Sequence, residues 1–368
     1  MSDTNFTITQ DDTYAVPPDE IEQVVQQLWR ESQGEEADAT VMQVRTLNLL
    51  IVVPEDLARP PIFRAIDTVA VQHPGRTIAM VVTEGTEAPR AHVAIACRLG
   101  DGGKQVCGEQ ITITSGEGGA PLPSIAAALL LPGVPTFLWW LGTPAFGSPL
   151  FESFVESVDR VVVDSRSWDA PLRVLPQLGE AITRQPYIAF TDLQWTALTP
   201  WRRQTTQCFD LPQALPYLER LGAVTIEHGP EESDRIMALL FVGWLATRLG
   251  WQPAAPGADD DQLVLQSRSG TVAVQFVRTP HAGSLQRVSL TAFPAAFQLS
   301  FRPASGCVKT EILLPPNPPI ERIARLATLS LEQVLSEDLD MLVHDTGFEE
   351  ALQFAAQVAS MRLIQTSG

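Results

Sequence analysis

Two hydrophobic rhythms divide the chain. In the first, solid apolar runs alternate with helix-like stretches; in the second, apolar and polar residues take turns one by one. Residues 19–32 open the first pattern: Ile21, Val24, Val25, Leu28 and Trp29 fall on one helical face, and Asp19 can cap it. Residues 45–53 form an apolar run ending at Pro54, which reads as a strand buried on both faces. A helix over 55–72 and a second buried strand over 77–82 complete a strand–helix–strand unit and predict a right-handed parallel crossover. Residues 91–99 and 104–113 flank Gly100-Asp101-Gly102-Gly103 as a hairpin. A helix at 123–131, a buried strand at 135–141, a helix at 149–157 and a strand at 160–164 follow. This alternation predicts an α/β domain over residues 41–205, a mostly parallel sheet covered by helices. Residues 1–40 form a tail, one helix and a linker at 34–40.

The second rhythm predicts a different domain over 206–368. Helices are expected at 211–221 and 231–249. Strands at 262–267, 271–277, 287–293, 297–301 and 308–314 mostly alternate, which suggests an antiparallel sheet. Pro315-Pro316-Asn317-Pro318-Pro319 breaks the chain, and two or three C-terminal helices close an α+β domain.

Charge narrows the function classes. The 368 residues carry 43 acidic and 25 basic side chains, a formal net charge of −18. Such a surface repels nucleic-acid phosphates and anionic lipid, and suits docking onto a protein with basic patches. The N-terminus, MSDTNFTITQDD, is polar and has no signal-peptide character. The longest apolar stretch, Ile236 to Ala246, is too short to span a bilayer. Four cysteines at irregular spacing, Cys97, Cys107, Cys208 and Cys307, do not form a secreted framework. Elimination leaves a cytoplasmic expectation.

Motifs for common chemistries are missing. No G-x-G-x-x-G follows the first buried strand; no G-x-x-x-x-G-K-[ST] and no G-x-S-x-G occur. His73, His92, His228, His281 and His344 lack metal-ligand spacing, so neither a metal nor a cofactor is expected. Several positions still invite a role. If the hairpin turn is centred on Gly102, Cys97 and Cys107 lie directly opposite each other. The expectation is a close but reduced, structural pair; a redox thiol switch is the alternative. In that register Glu109 faces Ile95, on the face of Ile111 and Ile113, where a carboxylate needs a cleft or a partner such as His73 or Arg76. Trp139 and Trp140 end a buried strand, one expected in the core and the other near the sheet's C-terminal edge, where a pocket could form. Trp195, Trp201, Arg202 and Arg203 form an aromatic and basic cluster in an acidic chain, a candidate partner surface.

These segments, in order, resemble the OpcA family, the glucose-6-phosphate dehydrogenase assembly proteins. The matching residues are His73-Pro74 with Arg76; Cys97; Cys107-Gly108-Glu109; Trp139-Trp140; Asp159-Arg160; Asp164-Ser165; Asp192-Leu193-Gln194-Trp195; and Trp201-Arg202. The resemblance implies a non-catalytic allosteric activator of glucose-6-phosphate dehydrogenase that supports the oxidative pentose phosphate pathway, with thiol chemistry linked to thioredoxin. This chain has no cysteine after Cys307, so a C-terminal redox switch does not carry over. Gly75 stands where the family shows Ser, a change expected to affect only the turn. The alternative is an enzyme or sugar-phosphate-binding protein using the first sheet's C-terminal edge near Glu109 and Trp140.

Overall fold

The computed structural model describes residues 14–32, 41–99, 105–256, 261–280, 285–326 and 329–366. The expected hairpin turn at 100–103, the linker at 34–40 and His281 lie outside these residues. Two compact units emerge. One takes residues up to Asp164, Gln185–Thr191 and Ser330–His344; the other takes Ser165–Arg184, Asp192–Leu329 and Asp345 onward. The chain thus passes between units several times, where the sequence suggested a single cut near residue 205.

The first unit holds strands β1 (Tyr14–Val16), β2 (Val41–Gln43), β3 (Asn48–Pro54), β4 (Arg76–Val82), β5 (Arg90–Leu99), β6 (Gln105–Ser115), β7 (Thr136–Trp140), β8 (Arg160–Val163) and β9 (Ala189–Asp192). Their order is β1-β5-β6-β4-β3-β7-β8-β9, with β2 alongside β6. The strands from β6 through β4, β3 and β7 to β8 run parallel, as the alternation predicted, while β5 is antiparallel to β6. Leu49, Ile51 and Val53 of β3 are completely buried, the burial that its unbroken apolar run requires. Four helices of this unit are α1 (Ile21–Ser32), α2 (Pro60–Gln72), α3 (Leu122–Leu129) and α4 (Pro149–Val155). In α1 the predicted face is inside: Ile21, Val25, Leu28 and Trp29 are buried against β5. Ahead of α2, the expected single helix over 55–72 splits. Glu55–Leu57 make one 3-10 turn, and Pro60 and Pro61 restart the chain as an α-helix.

The second unit begins with α5 (Pro171–Arg184), α6 (Leu193–Ala197), α7 (Thr199–Gln207) and α8 (Leu215–Leu218). The helix expected over 211–221 shrinks to α8, since Pro212 and Pro216 remove two backbone donors. Strand β10 (Ala223–His228) and helix α9 (Glu232–Leu249) follow. Then come β11 (Gln252–Pro256), β12 (Gln262–Ser267), β13 (Gly270–Arg278), β14 (Leu285–Ala292), β15 (Ala295–Arg302), β16 (Cys307–Leu313) and β17 (Ile320–Arg325). They form one sheet, β11-β12-β13-β10-β14-β15-β16-β17. Its pairs are antiparallel except where β10 inserts parallel to β13, so the sheet is mixed. Helix α9 is apolar on all sides and buried from Arg235 to Gly243; it packs against α5, α11 (Thr346–Thr366), β10 and β14. A Cβ on Gly243 would stand 2.4 Å from the Ala351 carbonyl oxygen, so α9 and α11 approach closely only because that side chain is missing. The remaining helix, α10 (Leu331–Leu339), belongs to the first unit and packs on α2. No helix among the described residues is long and apolar enough to cross a membrane.

Candidate functional site

The sequence-nominated residues do not converge on one site. Arg76 is the first residue of β4 and pairs in register with Glu109 of β6, so both lie where the parallel strands begin. Their side chains are 3% and 2% exposed. Arg76 Nε donates to Glu109 Oε2 at 2.5 Å, and its Nη1 reaches both Glu22 and the Leu129 carbonyl. Glu109 Oε1 also accepts from Trp29 Nε1 and Gln43 Nε2, each at 2.9 Å. Burial opposes the Arg76 charge, yet Glu22 and Glu109 hold the guanidinium above its ordinary range. The Arg76, Trp29 and Gln43 side chains thus find their acceptors on α1, α3 and β6. The cluster ties α1, β2, α3, β4 and β6 together.

Of the two partners expected for Glu109, Arg76 is the one found. His73 instead meets α10: Nε2 lies 2.6 Å from Ser336 Oγ, and Nδ1 lies 3.9 Å from Asp340. Burial lowers its pKa, with Asp340 pulling the other way. Between them, Gly75 threads a narrow gap. A Cβ there would lie 2.1 Å from the Leu47 oxygen, the atom that accepts from Arg76 N. The position is set by backbone contact with β3's approach, so its influence extends beyond the turn.

The predicted hairpin register holds, with Cys97 opposite Cys107 and Ile95 opposite Glu109. The expectation of free thiols does not hold: the sulfurs form a disulfide with Cα atoms 4.1 Å apart. Directly opposed positions in an antiparallel pair bring the Cα atoms this near, and Cys107 is fully buried while Cys97 is half-buried. The remaining cysteines are free; burial pushes the Cys208 thiol up to about 12, which makes it unreactive.

The opposite edge, where the parallel strands end, holds Trp140 and Asp164. Both tryptophans are buried, Trp139 at 1% and Trp140 at 5%; Trp140 packs on Phe151 and Phe154 of α4. Glu109 and Trp140 therefore sit at opposite edges and cannot share the pocket expected from sequence. Asp159 and Arg160 lie back at the starting edge. Asp159 Oδ2 accepts from Thr136 N at 2.8 Å, and buried Arg160 pairs with buried Asp338 at 3.1 Å. Strand β3 lies between β4 and β7, so the order reverses there and the crevice beyond β3 and β7 is the place where open α/β sheets bind ligands. Here β3 leads into Pro54, exposed Glu55 and Asp56, and Leu57. A Cβ on Gly142, just after β7, would lie 3.2 Å from Leu57 Cδ1 and 3.4 Å from Pro54 Cγ. The two loops touch across the crevice.

In the second unit Trp195 and Trp201 are core residues, 1% and 2% exposed, which removes them from the candidate partner surface. Trp195 Nε1 donates to Asp345, and the Arg202 guanidinium stacks 3.5 Å above the Trp195 ring while bonding Thr199 Oγ1. Burial lowers Arg202 to about 10. Arg203 alone of the four is fully exposed. Only Trp201 of that set lines a cleft of about 670 Å³, whose other walls include Trp168, Gln194, Met237, Arg166 and Asp234. Its lining also carries Asp169, Glu231 and Glu232, so four carboxylates stand against Arg166, an arrangement that disfavours phosphorylated ligands. Sequence reading missed this cleft, since its walls come from six separated segments. Among the described residues no three potential ligands gather to hold a metal ion.

Comparison with known proteins adds the lineage. Residues 66–180 match a glucose-6-phosphate dehydrogenase subunit N-terminal domain, and residues 188–352 the corresponding C-terminal domain, both of the OpcA family. An OxPP cycle protein OpcA of Nostoc punctiforme is 34% identical over 52% of this chain and 41% of its own length. Its counterpart in Synechococcus elongatus is 30% identical over 51% and 42%. The chain thus spans about two fifths of the length of the curated relatives it matches. Solved structures share the fold alone. KijD10, a 3-ketoreductase from Actinomadura kijaniata solved with NADP, is 11% identical with a TM-score of 0.50, over 87% of this chain and 98% of that one. An oxidoreductase domain protein from Kribbella flavida is 9% identical with a TM-score of 0.51, over 89% and 98%. The first α2 positions, Pro60 and Pro61, have no N–H to offer a phosphate; Glu55 and Asp56 present like charge; and Leu57 closes on Gly142. With both its domains matched across most of its length, the chain belongs to the OpcA family of glucose-6-phosphate dehydrogenase subunits.

Proposed function

We propose that this chain is a non-catalytic, allosteric partner of glucose-6-phosphate dehydrogenase that raises the dehydrogenase's effective affinity for its sugar phosphate. Family membership supports the partner. The observation that carries the non-catalytic part is the crevice beyond β3, where prolines, carboxylates and the Leu57–Gly142 contact stand in place of a phosphate cradle. The alternative, a sugar-phosphate site at the same sheet edge near Glu109 and Trp140, loses its support because both side chains are buried and satisfied or packed. Exposed Arg203 is the part of the aromatic and basic segment available to a partner. For the thioredoxin link, the Cys97–Cys107 disulfide is the chemical counterpart in this chain; a dithiol reductant would convert it to two thiols with two electrons and two protons, becoming a disulfide itself.

Steady-state kinetics of the dehydrogenase with and without added chain test this reading. The expected result is no turnover by the chain alone, no NADP binding by calorimetry, and a lower apparent KM for glucose 6-phosphate when both proteins are present. Reciprocity then requires the substrate to tighten the protein–protein complex by the same factor as the chain tightens substrate binding. Turnover by the chain alone, or kinetics indifferent to it, defeats the proposal.

A further inference from the structure

The sheet of the second unit has two unlike faces. Toward α9 it presents Val224, Ile226, Val274, Leu290, Phe297 and Ile312, all buried. The alternate residues point the other way, and none of those described on β10 and β12 to β17 is buried. One register row on that open face reads Val277, Glu227, Arg287, Ser300, Lys309, Ile323. The large apolar side chains Val277, Leu313 and Ile323 also lie on that face, exposed at 37%, 38% and 67%.

Its charge differs from that of the rest of the chain. Glu227, Glu311 and Glu321 face Arg287, Arg302, Lys309 and Arg325, a net of +1 in a chain of −18. Most of these charges are already matched on the face: Arg287 pairs with Glu227, and Lys309 with Glu311 and Glu321. The size also fits an interface. Seven strands spaced by about 4.8 Å, each about six residues long at about 3.3 Å, span roughly 30 by 20 Å. That is of the order of a standard-size interface, about 800 Å² per partner.

We infer that this open face binds a second copy of the chain, sheet against sheet about a twofold axis, to form a homodimer. Self-association is the occupancy that the charge favours. The remaining surface carries all the excess negative charge, so two copies repel through it, whereas this face meets itself with almost none. Around its middle strands the Ala, Ser and Thr side chains (Ala223, Ala273, Thr225, Ser289, Ala296 and Ser300) are short enough for two sheets to pack about 10 Å apart. The contact is isologous: each residue meets its twofold mate, so β14, the middle strand of the seven, lies nearest the axis.

Sedimentation velocity of the whole chain tests this without the dehydrogenase, so its outcome is separate from the fate of the activation proposal. The wild type is expected to be a dimer at micromolar concentration. Ser289 on β14, in register with Thr225 and Gln298, is the position to change. Ser289→Arg and Ser289→Glu each place like charges across the axis and should weaken self-association about a hundredfold or more. Their circular dichroism and melting temperature should stay near wild type, because the side chain points away from the core. Mixed together, the two variants should restore a dimer, a result that misfolded chains could not give. A wild type that stays monomeric at every concentration, or a Ser289→Arg variant that still dimerises, overturns the inference. A face that is free in the isolated chain but protected when dehydrogenase is added also overturns it and gives the surface to that partner.

Discussion

Glu109 receives three side-chain donors while almost wholly buried, so its carboxylate is committed to the protein's own groups. Removing it leaves Arg76 buried with only Glu22 to balance it. Glu109→Ala is therefore expected to cost about 3–5 kcal/mol in urea denaturation, as for other broken buried pairs. Activation of the dehydrogenase, measured on the folded fraction, should be unchanged; selective loss of activation would restore the binding-site reading. Half-buried His73 and buried His228 set a pH window. Burial is the leading cause that lowers both His73 and His228 below 6.5. In the unfolded chain they take up protons near that value, while the folded chain resists. Stability is thus fully present above pH 6.5 and falls as pH drops through and below it. Denaturation midpoints at pH 7.5 and 5.5 should show this loss, and a His73→Gln, His228→Gln double variant should show less of it; an equal loss in the variant assigns the effect elsewhere. The cross-strand register was legible at this scale, because opposed positions follow from the turn centre. The edge on which Glu109 lies was not. Strand β6 begins beyond the start of β4, so a residue midway along β6 sits opposite β4's first residue, an offset that no local pattern reveals.

At the scale of elements, strands with solid apolar runs were the easiest to read, since β3, β4, β7 and β8 are inside on both faces. Helix α5 was missed although Val174, Leu175, Leu178 and Ala181 keep helical spacing, because Pro176 interrupts the pattern. Strand β10 was missed because it is short, stands between two helical segments, and alternates half-buried with buried residues. It takes a central place only through pairing with β13 and β14, which lie far along the chain. The β5–β6 hairpin supports a prediction of its own. Its disulfide joins residues 10 apart in sequence, and a loop of that length restricts the unfolded chain by about 2.5 kcal/mol. Reduction, or a Cys97→Ser, Cys107→Ser double variant, should lower stability by about that amount in matched denaturation curves. A variant as stable as the oxidised chain would show that the bridge closes a hairpin already ordered when unfolded.

The whole molecule couples a strongly acidic exterior to one nearly neutral sheet face, and the two should respond differently to salt. Docking onto a dehydrogenase through the acidic exterior depends on attraction to basic patches. Ions screen exposed charges beyond about 8 Å at 0.15 M ionic strength, so raising salt should slow that association and weaken it. Dimerisation through the open face of β10 and β12 to β17 involves a face of net +1, where most charges are paired within the same chain. Little long-range attraction exists there to screen, and the chain-to-chain repulsion of the −18 exterior is itself relieved by salt. The dimer should hold or tighten slightly from low to high salt while the dehydrogenase complex loosens. Sedimentation for the first and surface-immobilised binding kinetics for the second, in one salt series, separate the two contacts. Parallel weakening of both would mean that they share charged contacts, and the neutral face would then lose its place as the surface of self-association.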